Sequence, residues 1–300
     1  MAKVLFVGDI NVDVILGGME APPTLDREVP CKSFDVVMGA STVLCACAYA
    51  SLGGHAALAG LAGQDDYGDF MVRGLQEFGI DTAMVRRTGR VKTGVTINLI
   101  YENTRTQVTY PGTIAEFDGS GIDLAGFDHI HLAGVYLQTK LLPRIAGILG
   151  EARRRGLTTS LDPQWDSTER WQYMDEWLPR LTYLFVNDGE AMSITRAASA
   201  GEACLQLAAR GCQPLVKAGR DGAYVALEGK VERVPGFPVE VVDTTGAGDS
   251  FDAGFLFATL EKRLSLLEAV RFANAAGARS CMFVGGVAAR STYVDIMAFL

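Results

Sequence analysis

Histidine is scarce in this sequence, three in 300 residues, and its six cysteines include no Cys-x-x-Cys pair. A zinc centre built from close-set thiolates and imidazoles therefore has no basis in the spacing. Cys45 and Cys47 lie two apart in an alanine-rich, helical-looking stretch and so point to different faces. With Cys31, Cys204, Cys212 and Cys281 they are expected as buried, reduced thiols. No apolar run approaches the ~20 residues that span a bilayer. The apolar start at Val4–Val7 is cut short by Gly8-Asp9, which predicts a first β-strand rather than a signal peptide. Long basic or acidic blocks are absent too, and the net charge is −8. That argues against a nucleic-acid surface while leaving room for one small anion in a local pocket. No G-x-G-x-x-G follows the first strand, which disfavours a dinucleotide fold. What these absences leave is a soluble chain, expected in the cytoplasm, that handles small molecules.

The chain is 49% hydrophobic, enough to bury a sizeable core. Its centre of interest is Asp243-Thr244-Thr245-Gly246-Ala247-Gly248-Asp249-Ser250-Phe251. The extended, β-branched run Val239–Val242 precedes it, and an apolar helix through Phe255, Leu256 and Leu260 follows. Gly-Ala-Gly thus marks a helix start, where unpaired backbone N–H groups and the helix dipole favour an anion. A carboxylate at Asp249 would repel that anion. Two readings stand on the residues alone: Asp249 charges the first helical turn, or it takes a proton from a hydroxyl while the N–H groups hold a phosphoryl group.

Elsewhere, Val4–Ile15 is an apolar run interrupted by Gly8–Asp13, and it reads as the buried first strand of a parallel sheet ending in polar residues. Residues 16–37 carry Gly17-Gly18, Pro22-Pro23 and Pro30 and read as loops with short strands. Gly39-Ala40-Ser41-Thr42 leads into a helix that stops near Gly53, with Ser41 able to cap it or to bond a ligand hydroxyl. Val95, Ile97, Leu99 and Tyr101 alternate with Thr96, Asn98 and Ile100, predicting a hairpin with Arg105–Tyr110 across a turn at Glu102-Asn103-Thr104. His129 and His131 share one face of a strand and are expected as packed or surface residues. Trp165, Trp171 and Trp177 lie six apart and read as packing. Asn187 and Glu190 lie three apart at a strand-to-helix turn, as a capping box or as two groups facing one ligand. Alternating strands and helices without a linker predict one α/β domain over residues 1–300.

Asp243–Phe251 with Ala253-Gly254-Phe255 resembles the C-terminal signature of the ribokinase-like (PfkB-type) carbohydrate kinases. The resemblance extends over nearly the whole chain. It implies a three-layer α/β/α domain with a mainly parallel sheet and a small β-sheet lid, here at about 16–37 and 93–113. It makes Asp249 the catalytic base and Gly246, Ala247 and Gly248 the anion hole. Asp13, with Asn11 beside it, would bind sugar hydroxyls, joined by Gly39 and Ser41. Lys217, Gly219 and Gly222 would border ATP, with Asn274 near the adenine edge. Asn187 and Glu190 would hold Mg²⁺, largely through water. Asp243 and Thr245 stand where family members bind a monovalent cation such as K⁺. The N-terminal signature departs from the family's Gly-Gly-Asn-x-x-Asn: Ala40, Ser41 and Leu44 replace its second Gly and both Asn residues.

The expected activity is ATP-dependent phosphorylation of a hydroxyl on a small sugar or sugar derivative. Ser41-Thr42 after Gly39 also resembles the adenosine kinases of the superfamily, which makes a nucleoside the alternative acceptor. A non-catalytic ligand sensor is the rival from another class. A homodimer through the lid is a further expectation of the resemblance.

Overall fold

The first apolar run breaks where its backbone is most crowded. A Cβ on Gly8 would sit 2.2 Å from Thr42 Oγ1 and 2.6 Å from the Ala133 carbonyl, so only glycine fits there. In the computed structural model, which describes residues 1–300 except Asn103 and Ala288, Val4–Ile15 is consequently not one strand. It is β1 (Lys3–Gly8) and β2 (Asn11–Gly17), which belong to two different sheets.

The large sheet takes β1, β4 (His55–Gly63), β5 (Asp81–Thr88), β8 (His129–Ala133), β9 (Thr158–Asp162), β10 (Tyr183–Asn187), β11 (Gln213–Lys217), β12 (Ala223–Leu227) and β13 (Lys230–Val234). Their order is β13-β12-β11-β10-β9-β8-β1-β4-β5. All neighbours from β5 through to β11 pair in parallel, and β12 and β13 close one edge antiparallel. Parallel strands are buried on both faces. Within β1, Val4 and Phe6 enter one core and Leu5 and Val7 the other.

The first core is roofed by α1 (Ser41–Ser51), α8 (Ala247–Leu260) and α9 (Leu266–Ser280), and the second by α4 (Ile145–Arg154) and α7 (Ala200–Ala208). The result is a three-layer α/β/α fold. α8 is buried nearly all round. Gly254 permits this, since a Cβ there would lie 2.9 Å from Ala276 Cβ on α9. α6 (Asp188–Thr195) follows β10 directly.

The small sheet runs β3-β2-β6-β7, with β3 at Ser33–Met38, β6 at Gly94–Tyr101 and β7 at Thr104–Tyr110. β6 and β7 form the antiparallel hairpin that the alternation predicts; of its turn, Asn103 lies outside the described residues. β2 pairs in parallel with β6, so the sheet is mixed. It starts at Asn11, earlier than residue 16, and so carries Asn11 and Asp13 itself.

Several local expectations need correction. Cys31 is exposed and Cys281 half-buried, because Cys31 sits in a surface loop and Cys281 at the end of α9; the other four thiols are buried, and all six are free. Val239–Val242 joins no sheet despite its β-branched residues, and Val239 and Val241 instead wall a cavity. Trp171 and Trp177 are packed, but Trp165 is 48% exposed, its ring set edge-on to Trp171. His129 and His131 are fully buried, both bonded to Ser160 Oγ at 2.7 Å. Burial holds both imidazoles below their ordinary range, His131 at about 4. Among the described residues no helix is long and apolar enough to cross a membrane.

Candidate active site

β1, β8, β9, β10 and β11 run in the same direction and end on one edge of the large sheet. From their ends, or the residue just beyond, come Asp9, Gly134, Asp162, Asn187 and Lys217, which line a cavity of about 720 Å³. The chain leaves β1 for β4 on one side and returns as β8 on the other. Open parallel sheets bind ligands at such a switch point. The small sheet forms a facing wall with Asn11, Asp13, Thr96, Arg105, Gln107 and Thr109. Arg105 also reaches Thr245 Oγ1 at 3.1 Å, tying the small sheet to the loop before α8.

α8 begins at Gly246, whose φ of +73° and whose approach to Gly286 leave no room for a side chain. No side-chain hydrogen bond caps this helix. Ala247 N–H is held by the Thr244 carbonyl at 3.2 Å, while among the described residues the N–H groups of Gly246 and Gly248 have no protein partner and are open to an anion. Asp249 lies in that first turn, 7% exposed. Burial pushes its carboxyl up to about 7, against a hydrogen bond from Ser41 that favours the ionised form. Ser41 Oγ donates to Asp249 Oδ1 at 2.5 Å. Ser41 is not the cap of α1, a position held by Ala40. A base titrating near neutrality beside unfilled N–H donors is suited to moving a proton and holding a developing anion.

Asp13 receives a hydrogen bond from Asn11 Nδ2 at 2.9 Å, and burial raises its carboxyl to about 6. Asp9 is raised by burial to about 6 as well, and its Oδ1 accepts from Thr42 N and Oγ1. Gly39 makes space for Asp13, since a Cβ there would meet Asp13 Oδ1 at 2.2 Å.

Beneath the α8 terminus, Lys217 Nζ lies 2.8 Å from Asp162 Oδ2 and 3.1 Å from Asp252 Oδ1. Burial opposes the ammonium charge, but Asp162, Asp252 and Glu190 outweigh it and hold Lys217 protonated. Burial likewise opposes ionisation of Asp162, where Lys217 prevails and lowers it. Asp252 goes the other way: burial, reinforced by Asp162 and Asp249, pushes it well up despite Lys217. Asp162 is thus the ionised partner of Lys217.

Asn187 and Glu190 form a full capping box on α6, each side chain accepting from the other's backbone N–H at 2.8 Å. Both line the cavity, and burial raises Glu190 to about 7. Among the described residues no group of three or more His, Cys, Asp or Glu is set to hold a metal ion. The oxygen donors of Asn187 and Glu190 are of the kind Mg²⁺ prefers, an ion that keeps waters and shares phosphate oxygens.

A second cavity of about 510 Å³ adjoins the first, sharing Lys217, Gly219, Thr244 and Gly248 with it. Phe237, Val239, Val241 and Phe251 make its walls apolar. Gly222, Ala247 and Asn274 line it too. Asn274 spends its amide donors on the Val234 and Pro235 carbonyls, strapping β13's end over α9.

The predicted site residues therefore divide. Asn11, Asp13, Ser41, Asn187, Glu190 and Asp249 meet in the first cavity, with Thr245 and Gly246. Gly39 and Asp243 line neither. Asp243 instead staples its loop, accepting from Thr245 N, Thr245 Oγ1 and Gly285 N. Sequence reasoning missed Asp9, Arg105, Tyr136, Asp162, Gln164, Trp165 and Asp252, all but the last on the cavity wall. Asp252 carried a local signal, one helical turn beyond Asp249, and so did Asp162 and Gln164, since Thr159–Gln164 reads as a strand reaching a polar edge.

Comparison with known proteins identifies the family. Residues 1–290 match the pfkB family carbohydrate kinases. An ATP-dependent ribose-1-phosphate kinase from Halopiger xanaduensis is 32% identical over 285 residues, covering 93% of this chain and 91% of its own. An aminoimidazole riboside kinase from Salmonella typhimurium is 30% identical over 312 residues, covering 96% and 92%. In fold, the chain resembles an E. coli protein assigned as a ribokinase II and solved with ATP and Mg²⁺, at a TM-score of 0.87, 20% identity and coverage of 100% and 99%. The chain belongs to the pfkB family of carbohydrate kinases, phosphotransferases with an alcohol group as acceptor.

Proposed function

We propose that this kinase transfers the γ-phosphoryl group of ATP to a hydroxyl of a small sugar or sugar derivative. One observation carries the reading: a buried Asp249, raised to about 7, in the first turn of a helix whose N-terminal N–H groups no side chain fills. The acceptor lies in the first cavity, its hydroxyls held by Asp13 and Asn11 and by polar side chains of the small sheet, with Ser41 close by. Asp249 accepts the proton of the attacking hydroxyl. The N–H groups of Gly246 and Gly248 hold the charge that develops on the phosphoryl oxygens, joined by that of Ala247 if it leaves the Thr244 carbonyl. The base of ATP occupies the apolar second cavity beside Gly222 and Asn274, with Lys217 and Gly219 where the two cavities join.

Glu190 and Asn187 are the residues that would hold Mg²⁺ through water, and the ion supplies neutralisation of phosphate charge. The small sheet acts as a lid that excludes water when both ligands are in place. Phe34, Val108 and Tyr110 on it are half or more exposed, and a second copy of the chain is the proposed cover.

A base-bearing riboside is the second reading. It is favoured by Trp165, half exposed, and Tyr136, which wall the same cavity and offer rings on which a planar group can stack. ATP consumption against pentoses, hexoses, sugar phosphates including ribose 1-phosphate, and ribosides, with Mg²⁺ and with or without K⁺, separates the two. Turnover with one acceptor class is expected. Silence across the panel, with ligand-induced thermal shifts retained, would contradict the proposal and restore the non-catalytic sensor.

A further inference from the structure

We propose that Gln164 and Ser41 form a one-way hydrogen-bond relay that positions the base: the Gln164 amide donates to Ser41 Oγ, and the Ser41 hydroxyl donates to Asp249 Oδ1. This rests on Asp249 being the base, as argued above. The distances are 3.1 Å from Gln164 Nε2 to Ser41 Oγ and 2.5 Å from Ser41 Oγ to Asp249 Oδ1. The direction is fixed by chemistry, because an amide NH₂ only donates and a carboxylate only accepts. The single hydroxyl proton of Ser41 is thereby committed to Oδ1, which leaves Oδ2 for the acceptor hydroxyl.

Two features show that the relay is built in rather than incidental. Ser41 is released from the usual duty of a serine at a helix start, since Ala40 occupies the cap position and no side-chain cap bond is made there. Gln164 is held in a left-handed conformation, φ +58°, with its N–H fastened to Asp162 Oδ1 at 3.0 Å. A non-glycine residue held there stores strain, which its surroundings must over-determine. From that backbone position the solvent-exposed side chain of Gln164 reaches Ser41. Leu44, one turn further along α1, has no polar atom to offer and packs against the Gly286 loop.

The titratable groups facing Asp249 are Asp9 from the β1–β2 turn, Asp162 at the end of β9, Lys217 on β11 and Asp252 further along α8. Three of these four are acids, so a donor to the ionised base matters. Ser41 and Gln164 are positioning residues, acting on the substrate through Asp249. Removing a hydrogen bond to an ionised group should move the Asp249 midpoint up by about one to two pH units. Activity needs the ionised base, so the acid limb of the rate profile shifts to higher pH.

The test compares pH profiles of kcat and of kcat/KM for wild type, Ser41→Ala, Ser41→Thr and Gln164→Ala, with whichever acceptor the panel identifies. Thermal melts confirm folding. Ser41→Ala should lose about 10-fold or more in kcat near pH 7 and recover toward high pH, as loss of a charge-assisted bond predicts. Ser41→Thr should restore the wild-type midpoint, Gln164→Ala should shift it partway, and the acceptor KM should change little. A raised acceptor KM in Ser41→Ala with an unmoved midpoint would make Ser41 a substrate contact and overturn the relay. A Gln164→Ala profile identical to wild type would overturn it equally. Should wild type turn over no acceptor, the kinase reading fails on its own. The relay is then read in ligand-free protein from the ¹³C shift of the Asp249 carboxyl, assigned with Asp249→Asn: its midpoint must rise in Ser41→Ala, and an unchanged midpoint overturns the relay.

Discussion

Two helices point their N-termini at the same cavity, and they differ in one respect. α1 starts at Ala40 with φ +72°, and α8 starts at Gly246 with φ +73°; neither cap residue supplies a side-chain bond. At α1 a carboxylate from elsewhere fills the gap, as Asp9 accepts from Thr42 N at 3.1 Å and from Thr42 Oγ1 at 2.6 Å. At α8 no side chain of the cap does so. One positive helix end is thus filled by a carboxylate. At the other, among the described residues, Ala247 N–H is bonded to the Thr244 carbonyl at 3.2 Å and the N–H groups of Gly246 and Gly248 are open to an anion. The Ser41–Asp249 hydrogen bond joins the two. On the proposed reading, the acceptor would sit between the termini and the phosphoryl group would arrive at the open one.

Exchanging the cap residues breaks this comparison from both sides. Gly246→Ala should have the largest effect. A Cβ there would lie 2.7 Å from Gly286 Cα in a conformation that disfavours it, and the N–H donors would turn away. A loss of about 10²–10³ in kcat/KM for ATP is expected, comparable to losing one oxyanion-hole donor. Steady-state kinetics check it.

Opening the closed end should affect stability first. Asp9→Ala strips Thr42 of its partner and should cost about 1–3 kcal/mol, read from denaturant unfolding. Asp9→Asn tests the charge. Asp9 and Asp13 titrate at about 6 and Asp249 and Glu190 at about 7 in the folded protein, all above their ordinary values. Between the ordinary and folded values the native state binds more protons than the unfolded one. Their contribution to stability is therefore complete below about pH 4 and lost as pH rises through 6–7. Ligand-free wild type should melt at a lower temperature at about pH 8 than at about pH 5. Asp9→Asn should narrow that difference, and an unchanged difference would remove Asp9 from the account.

Ala40→Gly should have the smallest effect. Relieving a positive φ at a residue with a Cβ is worth on the order of 1 kcal/mol. A slightly raised Tm with little change in kcat would sharpen the contrast, because the α1 terminus holds no reacting group.

What was legible in the sequence was whatever is encoded locally. Gly246-Ala247-Gly248-Asp249 announces a helix start with an acid in its first turn, and the structure builds that turn. The alternation from Val95 to Tyr101 announces a half-buried strand, and Asn187 with Glu190 announces a capping box; both form. What stayed hidden depends on topology. Lys217, Asp162 and Asp252 are 55 and 35 residues apart and meet only because β9, β11 and α8 converge. Ser41 reaches Asp249 across 208 residues and Gln164 across 123. The break at Gly8 was invisible as a change of sheet because its cause, Thr42 and Ala133, lies far along the chain. Trp165 was misread because spacing alone does not show that a loop after β9 lifts one ring out of the core.

The most direct measurement is the split between binding and turnover in Asp249→Asn. ATP·Mg²⁺ titrated calorimetrically into the variant should bind within about threefold of wild type, because the N–H donors of α8 are untouched. Its kcat should fall by about 10²–10⁴, the contribution of a general base. Near-normal turnover, or lost nucleotide affinity with turnover preserved at saturation, would contradict the division of labour between the open helix end and the acid in its first turn.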